Sequence, residues 1–410
     1  MKSRLCRFCN AGLKRTFVDL GMSPLANSFL KHDALEQMEQ FYPLHVFVCD
    51  ECLLVQLEEF EAPEQIFSDY AYFSSYSETW LNHAKNYVNL MISRYGLNQS
   101  SQIIEIASND GYLLQFFKKE GIPVLGIEPA ANVAKVAEKK GITTIMKFFG
   151  EKMANELVNN GIKADLLLGN NVLAHVPNLN DFVKGLKILL KPNGIITMEF
   201  PHLLNLIEQN QFDTIYHEHF SYFSLYVIQK IFSFHGLKIF DVNELPTHGG
   251  SLRIYAKHNE NSSSVTKRMY DLLEKEDKSG LASISTYEKF SEKVYKLKRA
   301  LLKILIDIKN DNKKIVGYGA AAKGNTLLNY CGIGTDFIEY VVDQNPYKQG
   351  LYLPGTHIRI EPPEKIQETK PDYILILPWN LKYEIMSQMD SVQRWGGKFL
   401  VPVPEVKIYS

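Results

Sequence analysis

The chain has almost no net charge: 45 lysines and arginines stand against 46 aspartates and glutamates, for a balance of −1 over 410 residues. No global field draws such a protein toward nucleic acid or an anionic membrane, and no basic–aromatic stripe marks a nucleic-acid surface. Long apolar runs are missing too. No stretch of eighteen apolar residues occurs, and the opening MKSRLCRFCN has no apolar leader segment, so neither a membrane-spanning helix nor a secretory signal is expected. Repeats and low-complexity segments are absent. With 45% hydrophobic and 22% charged residues the composition is that of a soluble globular protein, expected in the cytoplasm, and the length suggests two or three domains.

Cysteine is scarce, and its placement is uneven. Four of the five cysteines fall in the first 52 residues, as Cys6-x-x-Cys9 and Cys49-x-x-Cys52. Without a secretory signal, disulfides are disfavoured and thiolate ligation of a metal is the better reading. Two C-x-x-C turns each present two sulfurs to one point, which suits tetrahedral zinc, and four protein ligands leave no open position for a substrate. The zinc is therefore expected to be structural. The bland alternative is four unligated core cysteines. Cys331, alone in the C-terminal part, reads as a small buried hydrophobe.

Three regions follow from pattern. Residues 1–75 hold the cysteine pairs and short strand-like runs such as 45–48. Residues 76–258 alternate apolar strands with amphipathic helices, as a parallel α/β sheet does. Strands are expected at 103–106, 124–128, 165–168 and 195–200, with 237–242 and 251–257 as a closing antiparallel pair. The segments 131–140 and 181–190 are long enough for crossover helices. Residues 259–410 open with a polar stretch and a charged amphipathic helix ending near Asn310. They continue into a smaller Rossmann-like unit with strands near 314–319, 340–343 and 373–377.

The first strand of the middle region ends in Glu105-Ile-Ala107-Ser108-Asn109-Asp-Gly111. Cofactor-binding turns at this place need small residues, because the ligand approaches the backbone closely. S-adenosylmethionine (SAM) enzymes of the Rossmann-like class show an acidic residue and a G-x-G-x-G run here; Ala107, Asn109 and Gly111 form a degenerate version. Glu128 ends the next strand, where a carboxylate can accept both hydroxyls of an adenosine ribose. Asn170 and Asn171, with His175 four residues on, form a polar cluster at the carboxyl edge of the sheet. An NAD-binding domain predicts the same acidic residue, so fold logic leaves the two cofactors open. The degenerate glycines favour SAM, which has no pyrophosphate to cradle.

Further along, Tyr216-His217-Glu218-His219 gathers four protonatable groups. Imidazole titrates near neutrality and is the commonest general base. A metal is the weaker reading, since His-Glu-His lacks the i, i+4 spacing that puts two histidines on one helical face. A polar surface loop is the bland alternative.

Taken in order, these motifs resemble those of the sugar C-methyltransferases that act on nucleotide-linked deoxy-ketosugars. The resemblance runs over nearly the whole chain. It includes the two C-x-x-C pairs, the segment 20–29, Tyr70-x-Tyr72-x-Ser74-Ser75, the cofactor turn, Glu128-Pro129, the cluster 171–175 and the Tyr-His-Glu-His run. Thr247-His248-Gly-Gly-Ser-Leu-Arg253 and Gly317-x-Gly319-x-x-x-Lys323-Gly324-Asn325 complete it. Ala107 departs from the glycine common in the family and adds a methyl group beside the cofactor.

The resemblance implies a zinc-binding module, a SAM domain and a C-terminal Rossmann-like domain, acting on a dTDP-linked 4-keto deoxysugar at C3. It implies His219 as base, with Tyr216, Glu218 and His175 orienting it or stabilising charge. His248, Lys323 and Asn325 are expected in Gly-rich turns contacting the sugar nucleotide, with Asn27, Phe29, Tyr70 and Tyr72 closing over the site. A single chain suffices to enclose such a site, so a monomer is expected. Three competing readings are a SAM-dependent O- or N-methyltransferase of another small metabolite, a zinc-ribbon SAM-binding protein touching RNA, and an NAD enzyme using Gly317-x-Gly319 and Asp343.

Overall fold

The computed structural model describes residues 4–62, 74–76, 78–262 and 264–410. The N-terminal part is an antiparallel sheet of β1 (Arg15–Ser23), β2 (Tyr42–Val48) and β3 (Val55–Leu57), with the cysteine turns at its end. The middle part contains β4 (Ile103–Ile106), β5 (Val124–Ile127), β6 (Thr144–Ile145), β7 (Ala164–Asn170) and β8 (Leu190–Pro201). After these come β9 (Ser221–Tyr222), β10 (Leu237–Leu245) and β11 (Ser251–His258). Leaving β9 aside, they form one seven-stranded sheet in the order β6-β5-β4-β7-β8-β11-β10. Only β11 runs against its neighbours.

That order places the site. β4 is followed by β5 on one side, whereas β7 returns on the other, so the winding direction reverses at β4. Crossover helices splay apart there and leave a crevice outside the carboxyl ends of β4 and β7, where open α/β sheets bind ligands. Residues 107–111 and 170–175 lie at those two ends. The helices Ala131–Lys139 and Leu179–Leu189 fall where the crossovers are expected. Every residue of β4 is buried, as a strand covered on both faces requires, and this carries Glu105 into the interior.

β9 belongs elsewhere. It pairs with β3, Val55 opposite Tyr222, and so extends the N-terminal sheet with a strand from the middle of the chain. This pairing sits two residues beyond His219. The C-terminal part has β12 (Ile315–Tyr318), β13 (Val341–Val342), β14 (Ile360–Glu361), β15 (Tyr373–Ile376), β16 (Lys398–Val401) and β17 (Lys407–Tyr409). The order is β14-β13-β12-β15-β16-β17, parallel except for β17. The charged helix ahead of it spans Phe290–Asn310 and buries Val294, Leu297, Leu301 and Leu305 at helical spacing. Among the described residues no helix is long and apolar enough to cross a membrane.

The three parts share apolar contacts. Phe17 of β1 is fully buried, stacked on Phe290 with ring centroids 4.6 Å apart and edge-on to Tyr287 at 6.2 Å. Replacing it removes the aromatic joint between the N-terminal sheet and the C-terminal helix. Phe17→Ala is expected to lower unfolding free energy by about 3–5 kcal/mol, read by denaturant titration; a loss below about 1 kcal/mol would show that the joint is not part of the core.

Candidate active site

The cysteine turns converge. The sulfurs of Cys6, Cys9, Cys49 and Cys52 all lie within 4.8 Å of one another, with Cys6–Cys52 and Cys9–Cys49 at 3.5 Å. Zn–S bonds of about 2.3 Å in a tetrahedron put sulfurs about 3.8 Å apart, so the cluster fits zinc. Each knuckle is closed by a residue in the left-handed region, Asn10 (φ 60°) and Leu53 (φ 66°), whose amides donate to the carbonyls of Cys6 and Cys49. Gln56 donates to the Cys6 sulfur at 3.2 Å, the kind of outer contact that orients a ligand.

At the end of β4 the chain turns through three left-handed residues: Ala107 (φ 56°), Asn109 (φ 50°) and Gly111 (φ 74°). For alanine this conformation costs about 1–2 kcal/mol, which is why glycine suits the position. At Gly111 a Cβ would come within 2.4 Å of the Ile142 side chain, so the turn also needs glycine for space. The Glu128 carboxylate accepts the amides of Asn109 and Ala130, each at 2.9 Å, and ties the turn to the end of β5. Ser74 and Ser75 donate their amides to Asn109 and Asp110, docking the segment before the helix Glu78–Tyr95 onto the same turn.

Several buried polar atoms here have no protein partner: both carboxylate oxygens of Glu105, the Ser108 hydroxyl and Oδ1 of Asn170. Burial, followed by the carboxylates of Glu128 and Asp110, pushes the Glu105 carboxyl well above its ordinary range. Buried groups left unpaired cost free energy, so this crevice suits a ligand carrying donors and a positive charge. S-adenosylmethionine, with an ammonium, a sulfonium and ribose hydroxyls, matches that donor set.

Across the crevice stands the histidine cluster. His219 is buried, and its Nδ1 contacts the Thr214 carbonyl at 2.9 Å. A carbonyl only accepts, so Nδ1 carries the proton and Nε2 holds the free lone pair of the neutral ring. Burial, followed by the nearby His175, holds the His219 pKa well below its ordinary value. The Tyr216 ring lies over it at 4.1 Å and the His175 ring meets it edge-on at 4.7 Å. Burial holds His175 down to about 4, opposed by a hydrogen bond to the Glu218 backbone. Glu218 is pushed up to about 7 by burial, opposed by the Asn27 amide, which donates to it at 2.6 Å. His217 points the other way, toward the Pro43 carbonyl and the rings of Tyr42 and Phe60, and anchors the N-terminal sheet.

His248 sits in a left-handed turn (φ 54°), where Asn171 donates to its Nε2 at 3.1 Å and its ring packs edge-on to Trp80 at 5.1 Å. Lys323 and Asn325 are not in a Gly-rich turn as expected. The turn ends before Ala322, and both residues lie at the start of the helix Ala322–Cys331. Lys323 donates to Asn380 at 2.8 Å and lies over the Trp379 ring; Asn325 is buried, its amide nitrogen without a partner. Tyr70 and Tyr72 lie outside the described residues.

Three family models match successive stretches of the chain, the last beginning ahead of β11. A zinc binding domain matches residues 6–67, a methyltransferase domain 80–242 and a C-methyltransferase C-terminal domain 246–404. The C-methyltransferase NovU of Streptomyces niveus is 35% identical over 405 residues, covering 99% of this chain and 96% of its own. The chain belongs to the C-methyltransferase family. Solved structures are more distant. A S-adenosylmethionine-dependent methyltransferase from Clostridium acetobutylicum ATCC 824 is 12% identical, covering 43% of this chain and 92% of its own at a TM-score of 0.36. Magnesium protoporphyrin IX methyltransferase from Synechocystis PCC 6803, with bound SAH, is 16% identical, covering 43% and 82% at a TM-score of 0.35. At those scores they say nothing of substrate.

This SAM-dependent C-methyltransferase also holds a polar group that its sequence motifs do not announce. Glu199, fully buried at the end of β8, receives Arg253 at 2.6 Å, Thr247 at 3.0 Å and His83 at 3.1 Å. Burial opposes its ionisation, but His83 and Arg253 outweigh that and hold it near 2. The network ties β8 to β11 and to the turn carrying His248. Its one sequence signal is a lone carboxylate in an apolar strand, opposite an arginine three strands of text away.

For the cysteine cluster, the purified full-length enzyme is expected to carry about one equivalent of zinc. Cys49→Ser should lose it and unfold at a lower temperature. Full metal retention in that variant, by elemental analysis, would remove Cys49 from the ligand set.

Proposed function

We propose that this C-methyltransferase adds a methyl group to C3 of a dTDP-linked 4-keto deoxysugar, through an enolate formed by His219. The observation that carries the reading is the Nδ1–H contact of His219 with the Thr214 carbonyl, which leaves the lone pair on Nε2 of a buried ring beside His175. The substrate class is what the resemblance of the motifs to sugar C-methyltransferases implies, and the three-part division at 1–75, 76–258 and 259–410 is proposed with it.

A sugar carbon is a poor nucleophile until it loses a proton, and an adjacent ketone makes that proton acidic by delocalising the charge onto oxygen. In this reading Nε2 of His219 takes the C3 proton. Tyr216 and His175, against the ring, keep its plane fixed. The C3–C4 double bond then returns its electron pair to form the new carbon–carbon bond and restore the C4 carbonyl. When bound, SAM would supply the methyl group in electrophilic form, with the neutral thioether as leaving group. Glu105 and Glu128 would hold it, Glu105 toward its positive charge and Glu128 toward the ribose, with Ala107, Ser108, Asn109 and Gly111 lining the turn. Asn170 and Asn171 would border the reacting end. His248, Lys323 and Asn325 would face the sugar nucleotide, with Glu218 fixed by Asn27 behind the base.

Two substitutions test separate halves of this reading. His219→Asn keeps a side chain near the pocket but no base, so methyl transfer should fall by about 10²–10⁴, with SAM affinity unchanged by calorimetry. Normal turnover in that variant would remove His219 as the base. Glu128→Ala should weaken SAM binding by about 10–100-fold; an unchanged dissociation constant would place the cofactor elsewhere.

A further inference from the structure

The carbonyl that orients His219 is itself held from the far end of the chain. Thr214 lies in the turn Phe212–Thr214, and the groups gripping this turn come from the C-terminal part. The Trp379 indole N–H donates to Oδ2 of Asp213 at 2.7 Å, both residues being buried. The Thr326 hydroxyl donates to the Ile215 carbonyl at 3.0 Å, and Tyr330 meets the Phe212 ring edge-on at 5.3 Å. The same indole presses on the turn of His248, where a Cβ on Gly249 would lie 2.5 Å from the Trp379 ring. Its face carries the Lys323 ammonium, 4.6 Å from the ring centroid.

The chemistry of the pair restricts its geometry. Asp213 is fully buried, its Oδ1 has no hydrogen-bond partner, and burial pushes its carboxyl up to about 6 against the opposing effects of Lys323 and the indole. The amides of Asp213 and Thr214 also favour the charged carboxylate, and the indole is its side-chain donor, whose loss leaves a second buried oxygen poorly paired. An indole N–H is a single donor with one direction, so the bond fixes Asp213, and Thr214 is the next residue along.

We propose that Trp379 and Asp213 are positioning residues for proton abstraction: their hydrogen bond sets the 212–215 turn so that the Thr214 carbonyl holds His219 with Nδ1 protonated and Nε2 toward the substrate. This rests on His219 being the base. The C-terminal part thereby acts on the chemistry as well as on the sugar nucleotide.

The test follows solvent-deuterium exchange into C3 of a dTDP-linked 4-keto deoxysugar, on the full-length enzyme with S-adenosylhomocysteine bound, so that proton removal is read without methyl transfer. Trp379→Phe keeps the ring and loses the donor; exchange should slow about tenfold or more, while the sugar KM and the cofactor Kd stay within about threefold. Asp213→Asn keeps an acceptor for the indole and should exchange within about threefold of the wild type. Wild-type exchange in Trp379→Phe, a loss confined to KM, or Asp213→Asn as slow as Trp379→Phe would each overturn the proposal. Should Trp379→Phe fail to fold, Thr326→Val removes only one hydroxyl from the same turn: slowed exchange at unchanged KM supports the proposal, and an unchanged rate overturns it. His219→Asn separates the two readings. If it exchanges normally, the base is elsewhere; if it is inert while Trp379→Phe is unimpaired, only the positioning proposal falls.

Discussion

Residues 212–222 bond to every part of the chain. Asp213 and Ile215 accept hydrogen bonds from the C-terminal part, His217 reaches the Pro43 carbonyl of the N-terminal sheet, and the Phe220 amide donates to Ala174 at the edge of the central sheet. Tyr222 then pairs with β3. A segment with two histidine and two carboxylate side chains would ordinarily lie on the surface. Here it is buried, and much of its backbone and side-chain polarity is met by partners elsewhere in the chain. The partners come from three directions, so the segment has one conformation only while all three parts are in place.

That constraint explains the division of labour. The seven-stranded sheet provides the crevice at its switch point and the left-handed turn at 107–111. The zinc knuckles stabilise a small sheet whose hydrophobic core is limited, and that sheet holds the far side of the 217–222 stretch through β3. The C-terminal unit holds the near side. The surroundings of His219 thus draw on residues from both flanking parts, although the ring comes from the middle of the chain. Polar atoms that the protein leaves unsatisfied, in Glu105, Ser108 and Asn170, lie on the cofactor side of the same crevice.

Much of the frame was legible because it rests on local physics. The strand 103–106 was marked by its apolar run, and the antiparallel pair β10 and β11 by alternation and turn residues. The cysteine spacing announced a metal cluster because a C-x-x-C turn can do little else with two thiolates. The expectation for Lys323 and Asn325 failed on a boundary: glycines at 317 and 319 suggested an extended turn, but the helix starts at Ala322 despite the weak helix formers Gly324, Asn325 and Thr326, whose burial shows that packing decides it. β9 is two residues long and has no strand signal of its own; only its pairing with β3 makes it one. Trp379, Asp213 and Glu199 were silent because their meaning lies in tertiary contacts, such as an indole finding a carboxylate 166 residues away. The Tyr-His-Glu-His run at 216–219 was conspicuous by residue type, yet nothing in the sequence says that His217 faces away from His219.

The most direct measurement is product analysis by NMR and mass spectrometry after reaction of the enzyme with SAM and a panel of dTDP-linked 4-keto deoxysugars in deuterated water. The account predicts a new carbon-bound methyl group at C3 of one of these sugars, with deuterium entering C3 of substrate not yet methylated. A methyl group on oxygen or nitrogen, or carbon methylation at another position with no exchange at C3, would contradict it.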